Sequence, residues 1–145
     1  MNILVINGPN MNMLGIRQPE IYGSATYQDL LDLISAEAAR MGVTVSFFQS
    51  NHEGALVDAI HQAYFDQADG IIINPAAYTH TSVALLDAVK AVGIPTVEVH
   101  ISDPDSREDF RRVSYIRSAC TATIKGRGFQ GYLDALHLLC DNVAR

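Results

Sequence analysis

Apolar residues fall along this chain in five short runs, each closed by a polar residue and followed by a stretch of helical period. The runs are NILVIN (2–7), TVSFFQ (44–49), GIIINP (70–75), PTVEVH (95–100) and TATIK (121–125). Several are continuous rather than alternating, the pattern of strands in a parallel sheet covered on both faces. Between them, TYQDLLDLISAEAARMG pairs Thr26 with Asp29 as a capping box, sets Leu30, Ile34 and Ala38 on one face and stops at Gly42. SNHEGALVDAIHQAYFDQADG repeats the scheme with Ser50 and Glu53 at its start, Leu56, Ile60 and Tyr64 along its stripe and Gly70 at its end. THTSVALLDAVKAVG closes on Gly93, and FQGYLDALHLLCDNV offers Leu133, Leu136, Cys140 and Val143 as an inner face. Strand and helix thus alternate about five times without a linker or internal repeat, which predicts right-handed crossovers over a parallel sheet. The expected fold is one flavodoxin-like domain over 1–145, a three-layer α/β/α sandwich on a parallel five-stranded sheet.

Composition narrows the function more than the fold. A chain of 145 residues, 48% hydrophobic and 18% charged, suits a compact α/β protein. A net charge of −6 argues against nucleic acid or a membrane surface as partner, since both are polyanions. Yet Arg107, Arg111, Arg112, Arg117, Lys125 and Arg127 crowd one region, as a solvated face or as a local anion site. Cys120, in a predicted buried strand, and Cys140, in a helix, have no paired spacing and read as packing residues of a reducing compartment. MNILVINGP has no basic leader and too short an apolar run for a signal or a membrane span, so a cytoplasmic location is expected.

In sheets of this kind ligands bind beyond the carboxyl ends of the strands. Asn7, Asn51, Asn74 and His100 are expected to face one crevice there, with His80 just past the third strand. One such Asn caps a turn through its own side chain; several beside two histidines point to a pocket. Gly126, Gly128 and Gly131 spell G-x-G-x-x-G, but a dinucleotide site needs a further strand ending in an acid about twenty residues on, and only a helix follows. These glycines are expected to serve a tight turn and close helix–sheet packing. A receiver domain would need acids where Asn7 and Asn74 stand, and a flavin module a hydroxyl-rich loop where NGPNMN stands. No His, Cys or Asp cluster has metal-ligand spacing, and no Ser sits in a nucleophile elbow; His52 and His61 read as surface residues and His137 as a helix residue at a packing edge.

VEVHISDPDSREDFRR is richer. Glu98 and His100 lie two apart on a strand and so share a face, where a carboxylate can fix an imidazole's tautomer. After Asp103-Pro104-Asp105 a short helix would carry Arg107 and Arg111 one turn apart, and the Ile101 and Ser102 amides could grip a carboxylate. Together these describe an acid–base histidine beside a small anion site. Arg17 and Tyr22 ride on a connection of lid length, about 8–25. Bringing a tyrosine from its ordinary pKa of about 10 to neutrality takes about 4 kcal/mol, much of which a nearby guanidinium can supply. A packed Tyr22 and a surface Arg17 account for the same residues, and both readings stay open on sequence physics alone.

NGPNMNMLGIRQPEIYG, QSNHEGALVDAIHQA, NPAAYTHTSVALLDA, VEVHISDPDSREDFRRVSY and IKGRGFQGYLDAL, in this order, closely resemble the type II 3-dehydroquinate dehydratases from Asn2 to about Leu139. The resemblance implies a cofactor-free, metal-free anti elimination that turns 3-dehydroquinate into 3-dehydroshikimate through an enolate, in the shikimate pathway or in quinate breakdown. It implies that Tyr22 is the base, that Arg17 keeps it ionised and that His100 is the acid. Asn10 would help to hold a water at the enolate oxygen. Asn74, His80 and Arg111 would bind ring hydroxyls, the Ile101 and Ser102 amides the carboxylate, while Asp87 reaches a neighbouring subunit's site in a dodecamer of four trimers. Glu98 as orienter of His100 is a reading of the residues themselves. Gln18 and Asp103 depart from the family pattern, and Asp103 adds negative charge beside the carboxylate site. Rival readings are a binding module without catalysis, disfavoured by the intact Arg17–Tyr22–His100 set, and another cofactor-free enolising isomerase or lyase.

Overall fold

Strand β1 (Asn2–Asn7) pairs on one side with β2 (Thr44–Gln49) and on the other with β3 (Gly70–Asn74), which pairs in turn with β4 (Thr96–His100) and that with β5 (Ala122–Lys125). Every pairing is parallel, in the order β2-β1-β3-β4-β5, so the expected three-layer α/β fold is the one observed. The computed structural model describes residues 1–16 and 18–143, with Pro19, Tyr22 and Val143 described by their backbone alone. The helices are α1 (Pro19–Tyr22), α2 (Tyr27–Met41), α3 (Glu53–Phe65), α4 (Val83–Val92) and α5 (Gln130–Val143), joined by short 3-10 turns. None among the described residues is long and apolar enough to cross a membrane.

Apolar side chains on the two faces of the sheet form two cores. Ile3, Val5, Ile72 and Val97 pack with Leu30 and Ile34 of α2 and with Leu136 and Leu139 of α5. Ile6, Ile71 and Ile73 pack with Leu56 and Ile60 of α3 and with Leu85 and Val89 of α4. Register decides what stands at the rim: Asn7 lies level with both Gln49 and Asn74, and His100 with Lys125. All five strands therefore end in polar residues at one edge, where the strand order switches direction between β1 and β3.

Helix α2 forms as its sequence predicts. The Thr26 hydroxyl accepts from the Asp29 N–H at 3.1 Å, the Asp29 carboxylate accepts from the Thr26 N–H at 2.9 Å, and Gly42 closes the helix at φ 71°. Helix α3 departs from expectation at both ends. Its N-cap is His52 without a side-chain bond, and Ser50 turns back to accept from the His52 N–H at 3.0 Å instead of capping with Glu53. The helix stops at Phe65, and Gly70 opens β3, where a Cβ would meet Ile3 Cδ1 at 2.9 Å. Tyr64 is 58% exposed, because a 3.6-residue period from Leu56 and Ile60 brings Ala63, not Tyr64, under the sheet. On α5 the buried face is Tyr132, Ala135, Leu136 and Leu139; the expected Leu133 and Cys140 sit at its half-buried margin and the Val143 side chain lies outside the described residues. Cys120 precedes β5 rather than lying in it, half-buried, and burial followed by the Glu98 charge pushes its thiol up to about 12.

The exits of β1 and β3 touch through Gly8, whose N–H donates to the Asn74 carbonyl at 2.8 Å. A Cβ on Gly8 would lie 2.4 Å from the Pro75 carbonyl oxygen, so the two backbones must part to admit one. Gly8→Ala is expected to cost about 1–3 kcal/mol. Gly54→Ala, whose Cβ meets nothing within 4 Å inside α3, is expected to be neutral or stabilising. Thermal melting of the two variants side by side checks this, and equal midpoints would refute the contact.

Candidate active site

Beyond the carboxyl ends of β1, β3 and β4 lies a cavity of about 160 Å³ edged by Asn10, Asn74, His80, His100, Ile101, Ser102, Arg107 and Arg111. Its chemistry starts in β4, whose alternation turns Glu98 and His100 to one side. The wholly buried Glu98 carboxylate accepts from His100 Nε2 at 2.6 Å, Ser114 Oγ at 2.7 Å, Thr123 Oγ1 at 3.0 Å and Arg117 Nε at 3.4 Å. Burial pushes its carboxyl up, but His100, Ser114 and Arg117 together outweigh that and hold it well below the usual range, at about 2. An ionised Glu98 fixes the proton on Nε2 and leaves Nδ1 as the His100 nitrogen for a ligand.

His80 has the opposite setting. Its Nδ1–H donates to the Val113 carbonyl at 2.7 Å, leaving Nε2 toward the cavity. Burial lowers its pKa, the Val113 hydrogen bond opposes this, and the nearby His100 and Arg111 add to the lowering, so the setting favours the neutral ring. Asn74 is pinned by its own turn: Oδ1 accepts from the Ala76 N–H at 3.1 Å, while Nδ2 donates to Tyr132 Oη at 3.0 Å and faces Met11 Sδ at 3.6 Å. The Tyr132 hydroxyl in turn donates to Asn7 Oδ1 at 2.6 Å.

Two of the expected crevice residues are therefore braces rather than walls. Asn7 is buried beneath the cavity on Tyr132, and Asn51 stands outside it. Asn51 Oδ1 accepts the Asn10 N–H at 3.0 Å and Gln49 Nε2 at 3.3 Å, while its carbonyl accepts from the Tyr78 hydroxyl at 2.8 Å. That clamp holds Asn10 at φ 69°, a left-handed conformation that costs a non-glycine residue about 1 kcal/mol or more.

The single short helix expected for Arg107 and Arg111 is two 3-10 turns, Pro104–Ser106 and Asp109–Arg112, because the extended Arg107 backbone interrupts them. Both guanidiniums still reach the cavity, and Arg111 Nε donates to Glu108 at 2.6 Å. Arg107 joins the site residues on this geometry; its four-residue spacing from Arg111 was the available signal, whereas apolar Met11, Ala76 and Ala77 announced nothing. Asp87 is exposed on α4 and does not edge its own chain's cavity. Arg17 and the Tyr22 side chain lie outside the described residues; the backbone of Tyr22 ends α1.

Residues 1–140 match the family model for dehydroquinase class II. The chain belongs to the class II dehydroquinases. A 3-dehydroquinate dehydratase of Caldicellulosiruptor bescii is 58% identical over 137 residues, 94% of each chain. One of Corynebacterium glutamicum is 55% identical over 96% of this chain and 95% of its own. The crystal structure of a type II dehydroquinase from Butyrivibrio crossotus superposes with a TM-score of 0.95 at 48% identity, covering 96% of this chain and 97% of that one. A second, from Propionibacterium acnes, gives 0.91 at 40% identity over 95% and 94%.

In this class II dehydroquinase the described residues include no group of three or more His, Cys, Asp or Glu side chains able to hold a metal ion. Glu98 carries the pH dependence of the fold at this site. Its folded pKa is depressed, so its stabilisation is present above about 4.5 and is lost as pH falls toward about 2. Glu98→Gln is expected to lower stability by about 2–3 kcal/mol near neutrality, with the gap from wild type closing across that acid window. Denaturant titrations at stepped pH measure it; a gap independent of pH would refute an ionised Glu98.

Proposed function

We propose that this protein is a 3-dehydroquinate dehydratase, a hydro-lyase of the shikimate pathway or of quinate breakdown that works without a cofactor. The observation that carries the reading is a histidine held at 2.6 Å by a buried carboxylate and edging a cavity shared with Arg107, Arg111, Ile101 and Ser102. The family and the names of its relatives supply the substrate.

In this mechanism Tyr22, ionised beside Arg17, takes the proton next to the ketone. The electron pair moves to the ketone oxygen as an enolate, steadied by a water held at Asn10. Collapse of the enolate expels the β-hydroxyl, which leaves as water with the Nδ1 proton of His100. His100 enters this step as the imidazolium and keeps its Nε2 proton on Glu98. Asn74, His80 and Arg111 hold the ring hydroxyls, and the Ile101 and Ser102 amides the carboxylate. Two carriers of this scheme, Arg17 and the Tyr22 side chain, enter on the resemblance alone, riding on the connection over about 8–25 as a lid on a single catalytic domain.

Assembly belongs to the same proposal. Asp87 is not among the residues that edge the site cavity of its own chain, which suits a residue serving a neighbour's site in a cytoplasmic dodecamer of four trimers. Exposed Val83, Phe110, Val113 and Tyr115 supply apolar surface for association to cover.

Purified protein added to verified 3-dehydroquinate is expected to raise the ultraviolet absorbance of the conjugated enone; a flat trace would overturn the proposal. Tyr22→Phe should lose nearly all turnover while still binding substrate analogues. His100→Ala should slow hydroxyl loss about 10²–10⁴-fold, with solvent exchange of the proton beside the ketone persisting. Arg17→Ala should lose rate at neutral pH with its assembly intact by sedimentation; full neutral activity would remove the phenolate argument.

A further inference from the structure

The exit of β5, with its lysine and two glycines, has no part in the scheme above, yet it grips the segment said to hold the carboxylate. The Gly126 N–H donates to the His100 carbonyl at 3.3 Å and to the Ser102 carbonyl at 3.2 Å, and the Gly128 N–H donates to the Ile101 carbonyl at 3.0 Å. Three successive carbonyls are thereby tied to one loop. Among the described residues, the N–H groups of Ile101 and Ser102 find no acceptor outside the sheet ladder, and both residues edge the cavity. Successive backbone N–H groups in such a bend make an anion-binding concavity. Gly126 adopts φ +76°, and a Cβ there would stand 3.5 Å from Asp103 Cβ.

The next residues pose an electrostatic problem. Asp103 and Asp105 follow directly on the amides, and Asp103 Oδ1 accepts from the Asp105 N–H at 3.0 Å, so two carboxylates flank a site meant for a third. Lys125, level with His100 across the sheet, answers both. Its ammonium forms an ion pair with Asp105 and stands 3.8 Å from Asp103 Oδ1. Lys125 does not edge the cavity.

We propose that Lys125 is a positioning residue for the substrate's carboxylate, cancelling the charge of Asp103 and Asp105 while the Gly126–Gly128 turn fixes the Ile101 and Ser102 amides. The inference rests on the reading of those amides as the carboxylate site. It also explains how a chain with Asp103 at this position can bind an anion. All three side chains are between a third and a half exposed, so the effect is screened by salt.

The test compares Lys125→Met with wild type at low and high ionic strength, using 3-dehydroquinate for kinetics and a cyclic hydroxy-acid inhibitor with its carboxamide counterpart for binding. Lys125→Met is expected to raise KM about 3–10-fold at low salt with kcat nearly kept, the effect fading at high salt. Its preference for the acid over the amide should shrink by a similar factor. Lys125→Arg should retain the wild-type KM, and Asp103→Asn added to Lys125→Met should recover much of the loss. A wild type that fails to distinguish acid from amide would bring down the carboxylate site itself. A wild type that does distinguish them, with Lys125→Met unchanged in preference, would overturn the role of Lys125 alone. A joint loss of kcat, KM and melting temperature that Asp103→Asn does not repair would overturn it too, leaving Lys125 as a fold contact.

Discussion

A carboxylate sealed from water inside the sheet governs the architecture of the cavity. Removing an ion from water costs several kcal/mol even after relaxation, so Glu98 can stay charged only where donors surround it. Its donors come from three places: His100 two residues on, Ser114 and Arg117 from the connection after β4, and Thr123 from β5. That connection must leave β4, travel over the strand ends and return to within hydrogen-bond reach of the residue it left. The outward path carries the guanidiniums of Arg107 and Arg111 across the cavity, and the return path closes on Glu98. One buried charge therefore fixes an imidazole and the route of the segment that walls in its partner ligand. Loss of a single donor costs more than the pair it breaks, because the remaining charge is stranded.

The other half of the site is held without charge. Asn7, Tyr132 and Asn74 form a buried chain in which the phenol gives its proton to Asn7 and accepts one from Asn74. Burial pushes Tyr132's ionisation upward, so it remains a donor across the working range, and the direction of every bond in the chain is set. Asn10 is fixed by amide contacts as well, through Asn51 and Gln49. The ionic half is tied to pH through Glu98, while the amide half presents the same donors and acceptors whatever the pH. Under the proposed mechanism, a site that moves protons at one end while holding neutral ring hydroxyls at the other gains from that division.

What could be read from the sequence was what local rules determine. Continuous apolar runs gave the strands, the Thr26–Asp29 pair gave the start of α2, and the i, i+2 relation of Glu98 to His100 gave their contact. Misreadings arose where a distant partner decided. The inner face of α5 is turned toward Tyr132 and Leu139 because the Tyr132 hydroxyl must reach two strand ends more than fifty residues away in sequence. Asn7 and Asn51 were recognisable as strand-exit residues, but whether such a residue lines a cavity or props one depends on its depth, which no spacing encodes. Ser114, Arg117 and Thr123 gave no local sign of converging on Glu98. The Arg17–Tyr22 pair is the reverse case, a functional reading from motif resemblance that the described residues do not reach.

Net charge bears on polyanionic partners but says little about a small anion in the cavity, for a physical reason. At −6 the chain would be expected to repel a small carboxylic acid. Screening confines that repulsion to about 8 Å at physiological ionic strength, so only charges around the cavity matter to a ligand inside it. Around the cavity the balance is different. Arg107 and Arg111 edge it directly and share one carboxylate, Glu108, a trio that leaves one positive charge over. Glu98 is matched by its own donors, and Asp103 and Asp105 are met by Lys125. Each acid near the site thus has an assigned partner, so its field is spent on that partner rather than on the substrate. An acidic protein can in this way keep a locally cationic pocket: the sign that a ligand meets is set by how nearby charges are paired, not by how many the chain carries.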